Sequence, residues 1–189
     1  MQYGYNGKIM RVNLSQGTIS VEEMDQGFCR TYYGGWGFVA YYLLKELEPG
    51  IDPLGPENKL IVGLGPVTGM PVGGSGRNAM GAKSPLTGAF GEADVGGFFG
   101  AELKHAGFDA IIVEGVAQSP VYLWVHDGEA ELRDATSMWG KTTGETQIAM
   151  REELGDRHIR TCLIGMGGEK MVRYALTWRL PLLASNPPG

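Results

Sequence analysis

Two parts of this chain run through the same series of elements about a hundred residues apart, and that repetition restricts the fold more than any other feature of the sequence. In residues 8–22, Met10, Val12 and Leu14 share one face, Ser15-Gln16-Gly17 turns the chain, and Ile19 and Val21 return, which predicts a β-hairpin. Behind a glycine pair, Val39, Tyr42, Leu43 and Leu47 recur at helical spacing. They predict a helix from Trp36 to Leu47, ended by Pro49, Gly50 and Pro53. A strand over Lys59–Val62 follows, then a glycine-rich stretch, a helix over Gly97–Ala106 stopped by Gly107, and a strand over Asp109–Val113. The order then restarts. Val121, Leu123 and Val125 alternate up to Asp127-Gly128, a strong hairpin signal, and Ala130 and Leu132 return. Trp139-Gly140 introduces a helix carrying Ile148, Met150 and Leu154, and a strand over Arg160–Ile164 runs into Gly165, Gly167 and Gly168.

Trp36 and Trp139 lie 103 residues apart, and Gly63 and Gly165, which end the two matching strands, lie 102 apart. Two registers agreeing to one residue predict an internal duplication, the alternative being a coincidence of spacing between two hairpin-then-helix units of a common kind. After Gly168 the second copy has only EKMVRYALTW and then RLPLLASNPPG, with no glycine run, helix or closing strand. By symmetry roughly thirty residues are wanting, so the second repeat is expected to be truncated. Pro181, Pro187 and Pro188 predict a loose end.

The stretch that breaks the symmetry is the glycine-rich one. From Gly63 to Gly100, 12 of 38 residues are glycine, out of 31 in the chain. Glycine serves where φ must be positive or where something approaches the main chain more closely than a Cβ allows. Two readings stand open: a surface laid under a flat or phosphorylated ligand, with backbone N–H groups at the following helix start favouring an anion, or tight turns closing a small sheet. Two cations, Arg77 and Lys83, lie inside it. The planar donors of Arg77 suit a phosphate or a pterin-like carbonyl, with pairing to a nearby carboxylate as the alternative. No Gly-Lys-Ser/Thr completes a Walker loop, and Thr68 and Pro66 spoil a dinucleotide fingerprint at Gly63-Leu64-Gly65. Glu92 and Asp94 would share one side of an extended segment as an acid–base pair, but Asp94 before Gly96-Gly97 is placed better as a helix N-cap. His105, His126 and His158 have no serine or cysteine partner at a recognised spacing, so no nucleophile is assigned.

Composition closes several routes. At 189 residues and 43% hydrophobic content the chain suits one globular domain, and a net charge of −5 without a basic run argues against nucleic acid. Cys29 and Cys162, 133 positions apart, offer neither a disulfide framework nor a metal or iron–sulfur site. With no signal-peptide pattern and no apolar run of membrane-spanning length, a cytoplasmic protein is expected.

The segments GKIMRVNLSQG, PLGPENKLIVGLGPVTG, GRNAMGAKSPLTG, GGFFGAELKHAGFDAIIVEG and MWGKTTGET closely resemble the N-terminal domain of the tungsten-containing aldehyde:ferredoxin oxidoreductases, over about Gly7 to Trp178. The resemblance implies an α+β domain built as a pseudo-symmetric duplication with two β-sheets, forming the base under a bis-molybdopterin cofactor carrying tungsten or molybdenum. It implies that Arg77 contacts the pterin, that Gly96 touches it through its backbone, and that the main-chain carbonyl of Asp94, where the family usually has asparagine, helps hold a magnesium ion bridging the pterin phosphates. Lys83 and Gly97 are added on charge and helix-start geometry. The family's [4Fe–4S] cluster ligands, acid–base groups and substrate channel belong to further domains, and its partners are ferredoxin and an aldehyde. Residues 1–178 are thus expected to be the tungstopterin-binding domain, and 179–189 a divergent tail such as a shifted reading frame or a truncation would produce. The chain alone is expected to be isolated free of metal and pterin, since a cofactor held on one side only stays open to solvent, and to be inactive and prone to self-association. A stand-alone pterin-binding scaffold, or a subunit of a related aromatic thioester reductase, is the alternative.

Overall fold

The alternating segments near the start fold as β1 (Lys8–Asn13) and β2 (Thr18–Glu23), an antiparallel hairpin whose turn uses Gly17 at φ 65°. A computed structural model describes residues 4–175 and 183–185. Next come α1 (Gln26–Tyr32), capped by the Asp25 carboxylate on the Phe28 N–H, and α2 (Trp36–Glu46). The strand β3 (Lys59–Leu64) leads into the glycine-rich stretch, which holds two further strands, β4 (Asn78–Lys83) and β5 (Phe90–Val95). Then follow α3 (Phe99–His105) and β6 (Ala110–Glu114). The second half supplies β7 (Val121–His126), β8 (Glu129–Asp134), a 3₁₀ turn at Thr136–Met138, α4 (Thr143–Leu154), β9 (Arg160–Cys162), α5 (Met166–Glu169) and β10 (Leu183–Ser185). Asp127 at φ 46° and Gly128 at φ 82° make the β7–β8 turn a type I′ pair, and Thr142 with Glu145 forms a full capping box on α4.

The strand orders carry the duplication. The larger sheet runs β2-β1-β6-β3-β4-β5 and the smaller β8-β7-β10-β9. In both, the hairpin is antiparallel, its first strand pairs in parallel with a later strand, and that strand pairs antiparallel with the next. Thus β7, β8, β9 and β10 repeat β1, β2, β3 and β6. Among the described residues the second sheet has no counterpart of β4 and β5, whereas β10 supplies the closing strand that the sequence reading left out.

Three apolar layers hold the elements. On one face of the larger sheet Ile9, Ile61, Ala79, Ala110 and Ile112 pack under Cys29 of α1 and Phe38, Val39 and Tyr42 of α2. On the other, Met10, Val62, Leu64, Met80 and Ile111 meet Phe99 and Leu103 of α3 and Leu123 and Val125 of the second sheet. Tyr122, Met150 and Ile159 fill the outer layer under α4. Each such side chain contributes about 1.5–3 kcal/mol on burial, so both faces of the larger sheet are fixed before any loop is considered.

Several expectations need correction. The glycine-rich stretch is a hairpin as well as a loop, so the reading that its turns close a sheet holds for Asn78–Val95. The helix after it starts at Phe99, two residues later than expected, and the unexpected α1 precedes α2. Leu183–Ser185, in the segment expected to hang loose, is the closing strand β10. Pro181, Pro187 and Pro188 lie outside the described residues.

Candidate functional site

The site is built at the end of the larger sheet where β3, β4 and β5 meet. Leaving β3, the chain turns at Gly65–Thr68, with the Thr68 N–H on the Gly65 carbonyl at 3.2 Å. The buried Thr68 hydroxyl accepts the Gly65 N–H at 2.9 Å and donates to the Arg77 carbonyl at 2.9 Å, tying the start of the loop to its end. Between them Gly69 donates to the Ser75 carbonyl at 3.1 Å, and the Ser75 hydroxyl to the Met70 carbonyl at 2.5 Å. The loop is pinned from α3 as well: Lys104 Nζ donates to the Gly65 carbonyl at 3.2 Å, and His105 Nε2 lies 3.2 Å from the Gly69 carbonyl.

Glycine is required at one point of this arrangement. A Cβ on Gly76 would stand 2.3 Å from the Gly97 carbonyl oxygen, so the strands leading to Arg77 and away from Val95 touch backbone to backbone. A Cβ on Gly96 would be 3.9 Å from Arg77 Nε, which places that guanidinium beside Gly96. Arg77, Asp94, Gly96 and Gly97 are all exposed, and Gly73, Gly74 and Gly97 have open space where a Cβ would be. Arg77 forms no ion pair among the described residues, so the carboxylate-paired alternative is not what the structure contains.

Asp94 does not cap a helix, contrary to the sequence reading. It lies on β5 opposite Ala79, and Oδ1 accepts the indole N–H of Trp36 at 2.8 Å. Antiparallel pairs alternate between bonded and non-bonded. The Ser84 N–H on the Ala89 carbonyl at 2.8 Å sets the phase, so the backbone polar groups of Asp94 point away from β4. β5 is the edge strand, so no further strand of this sheet pairs with that side of Asp94. Glu92 shares the Asp94 side, as expected for residues two apart; burial, and then the Asp94 charge, push its carboxyl above the usual range. Its Oε2 is enclosed without a hydrogen-bond partner among the described residues.

Lys83 is not brought to this site. It ends β4, six residues and about 20 Å of strand from Arg77, and its ammonium donates to the Ile51 carbonyl at 2.7 Å. Near it, a cleft of about 390 Å³ is lined by Met80, Ala82, Ala93, Val95, Cys162 and Tyr174 among others. Sequence reasoning missed Thr68, whose role depends on a contact nine residues away, and Trp36, noted only as a marker of the repeat. It also missed Arg160 of β9, whose guanidinium stacks 4.6 Å over the Phe98 ring beside Gly97. Exposed Val67, Met70, Val72 and Phe98 surround the loop. No helix among the described residues is long and apolar enough to cross a membrane.

Residues 9–180 match the family model described as the aldehyde ferredoxin oxidoreductase N-terminal domain. The chain is 51% identical over 173 residues to the tungsten-containing aldehyde ferredoxin oxidoreductase of Pyrococcus abyssi, covering 92% of this chain and 28% of that protein. It is 35% identical over 188 residues to the WOR-like subunit of an aliphatic sulfonate oxidoreductase of Pyrococcus furiosus, covering 92% of this chain and 30% of that protein. In structure it is similar to a chain of the active-site complex BamBC of benzoyl coenzyme A reductase in complex with 1,5-dienoyl-CoA, with a TM-score of 0.95 and 30% identity, covering all of this chain and 32% of that one. The chain thus spans under a third of the length of these relatives. The matched residues run through both halves of the duplication, and the chain belongs to the aldehyde ferredoxin oxidoreductase N-terminal domain family.

Proposed function

We propose that residues 1–178 are the cofactor-binding part of an oxidoreductase, and that the edge formed by Arg77, Asp94, Gly96 and Gly97 receives a bis-molybdopterin group carrying tungsten or molybdenum. The observation that carries this reading is the exposed Arg77 guanidinium, without a carboxylate partner among the described residues, beside a glycine that leaves room for a ring or phosphate. The residues fit the group in three respects. Arg77 offers a planar set of donors to phosphate or a pterin carbonyl. Gly73, Gly74 and Gly97 leave open space for a flat ring. The outward Asp94 carbonyl is the kind of oxygen ligand that magnesium takes.

When bound, the group supplies two-electron redox chemistry, which in the resembled family oxidises an aldehyde to a carboxylic acid with ferredoxin as electron acceptor. The chain's own residues orient it. Arg77 anchors charge, the glycines set the distance of approach, and Trp36 holds the Asp94 carboxylate to one side, lowering its repulsion of phosphate. The [4Fe–4S] cluster, the acid–base groups and the substrate pocket belong to segments outside these residues, so the chain alone is inactive. The exposed apolar rim is the surface those segments cover, and it makes the isolated chain self-associate. Aromatic thioester reduction is a second reading, favoured by the similarity to the benzoyl coenzyme A reductase complex.

Equilibrium dialysis of the chain against oxygen-protected molybdopterin, the pterin being counted by its fluorescence after oxidation, tests the reading. Saturable binding weakened about ten-fold or more by Arg77→Ala is expected, since a charge-assisted hydrogen bond is worth about 1.5–3 kcal/mol. Equal uptake by both chains would overturn it.

A further inference from the structure

We infer that Thr68 is a positioning residue for Arg77, and that the buried Lys104–Asp109 pair supplies the fixed end of the relay through which it acts. This rests on the reading of Arg77 as a cofactor contact.

The relay is continuous. Asp109 is fully buried, accepts the Gly7 N–H at 2.6 Å through Oδ2, and is ion-paired to Lys104 through Oδ1. The same ammonium donates to the Gly65 carbonyl at 3.2 Å. Gly65 passes the constraint on through its N–H to the Thr68 hydroxyl, and that hydroxyl spends its one proton on the Arg77 carbonyl. Every group from Asp109 to Thr68 is at most 9% exposed except Gly65, whereas Arg77 at the end is exposed. A long cationic side chain in solvent samples many rotamers. What the fold can fix is its Cα, and Thr68 does so by closing the loop from 65 to 77 on itself. The ladder cannot do this alone, because β4 begins only at Asn78. The buried ion pair thus has a use besides stability. It holds Gly65, and so Thr68, in register with the edge where Gly96 and Asp94 stand.

Two changes test the assignment: the near-isosteric Thr68→Val removes the hydroxyl, and Thr68→Ser keeps it while losing the methyl group. In chain labelled with ¹⁵N-arginine, the heteronuclear NOE of the Arg77 backbone N–H falls in Thr68→Val and returns in Thr68→Ser, while thermal unfolding shows that both variants are folded. In the same dialysis, Thr68→Val weakens molybdopterin binding by about two- to ten-fold, the value of one hydrogen bond, and Thr68→Ser recovers it. Equal affinity and an unchanged Arg77 signal in Thr68→Val, with the original chain binding pterin, would overturn this inference alone. Absence of pterin binding by the original chain would overturn the reading of Arg77 and this inference's consequence with it.

Discussion

Gly76 and Gly73 lie three residues apart in one loop, yet a methyl group at each should have opposite consequences. At Gly76 the added Cβ would stand 2.3 Å from the Gly97 carbonyl oxygen, where ordinary contact begins at 3.4 Å, so one of the two segments flanking the β4–β5 pair must retreat by about 1.1 Å. The obstacle is backbone held by the β4–β5 ladder, and overpacking of this kind costs about 1–3 kcal/mol. For a domain of this size, about 2 kcal/mol lowers the melting temperature by roughly 4–8 °C. At Gly73 a Cβ meets nothing within 4 Å and the backbone is not in the left-handed region. Gly73→Ala should therefore melt within about 0.5 kcal/mol of the original chain, while binding molybdopterin less tightly, because the methyl occupies the space proposed for the ring. Calorimetry and dialysis on both variants read the two quantities separately. A Gly73→Ala chain that melts and binds like the original would refute the argument that this glycine is there for a ligand. A Gly76→Ala chain that melts unchanged would refute the close approach.

Three further outcomes follow from groups outside the loop. Asp109→Ala leaves the Lys104 ammonium buried and unpaired, which costs about 3–5 kcal/mol; denaturant unfolding should show it, and pairing it with Lys104→Met should recover part of the loss. Burial and the Asp94 charge raise the Glu92 carboxyl above its ordinary 4.5, so the folded chain holds that proton more tightly than the unfolded one. The stability it contributes is present below pH 4.5 and lost as pH rises through the folded value. Glu92→Gln should accordingly stabilise the chain at pH 7 and make no difference below 4.5, as thermal melts across pH can check. Burial pushes the Cys162 thiol up to about 11, so alkylation at pH 8 should be slow in the folded chain and rapid in denaturant, with mass spectrometry assigning the site.

The sequence foretold what depends on period and punctuation. Alternation at Met10, Val12 and Leu14 gave β1, the Asp127-Gly128 pair gave the second hairpin, and the Trp and Gly spacings gave a duplication that the strand orders repeat. What it hid depends on long-range contact. Asn78–Lys83 and Phe90–Val95 are poor strand sequences, with Gly81 and Gly91 inside them; Gly81 is tolerated because a Cβ there would stand 2.3 Å from Cγ1 of Val39 on α2. Asp94 has the local signature of an N-cap, but pairing with β4 and the Trp36 indole, 58 residues away, override it. Arg77 stands out in the sequence as a cation within the glycine run, whereas Gly96 enters only through the family resemblance; that the two lie side by side depends on the β4–β5 pairing. Charge alone singles out Lys83, and the strand carries it to the far end of β4.

The most direct test of a cofactor edge at Arg77, Asp94 and Gly96 is to locate bound molybdopterin by two-dimensional NMR of the ¹⁵N-labelled chain with magnesium present. The account predicts saturable shifts at the Arg77 side-chain N–H and at the amides of Gly73, Gly74, Gly96 and Gly97, with the amide of Lys83 unmoved. Shifts confined to the Met80–Tyr174 cleft, or to the Lys83 end of β4, would contradict it.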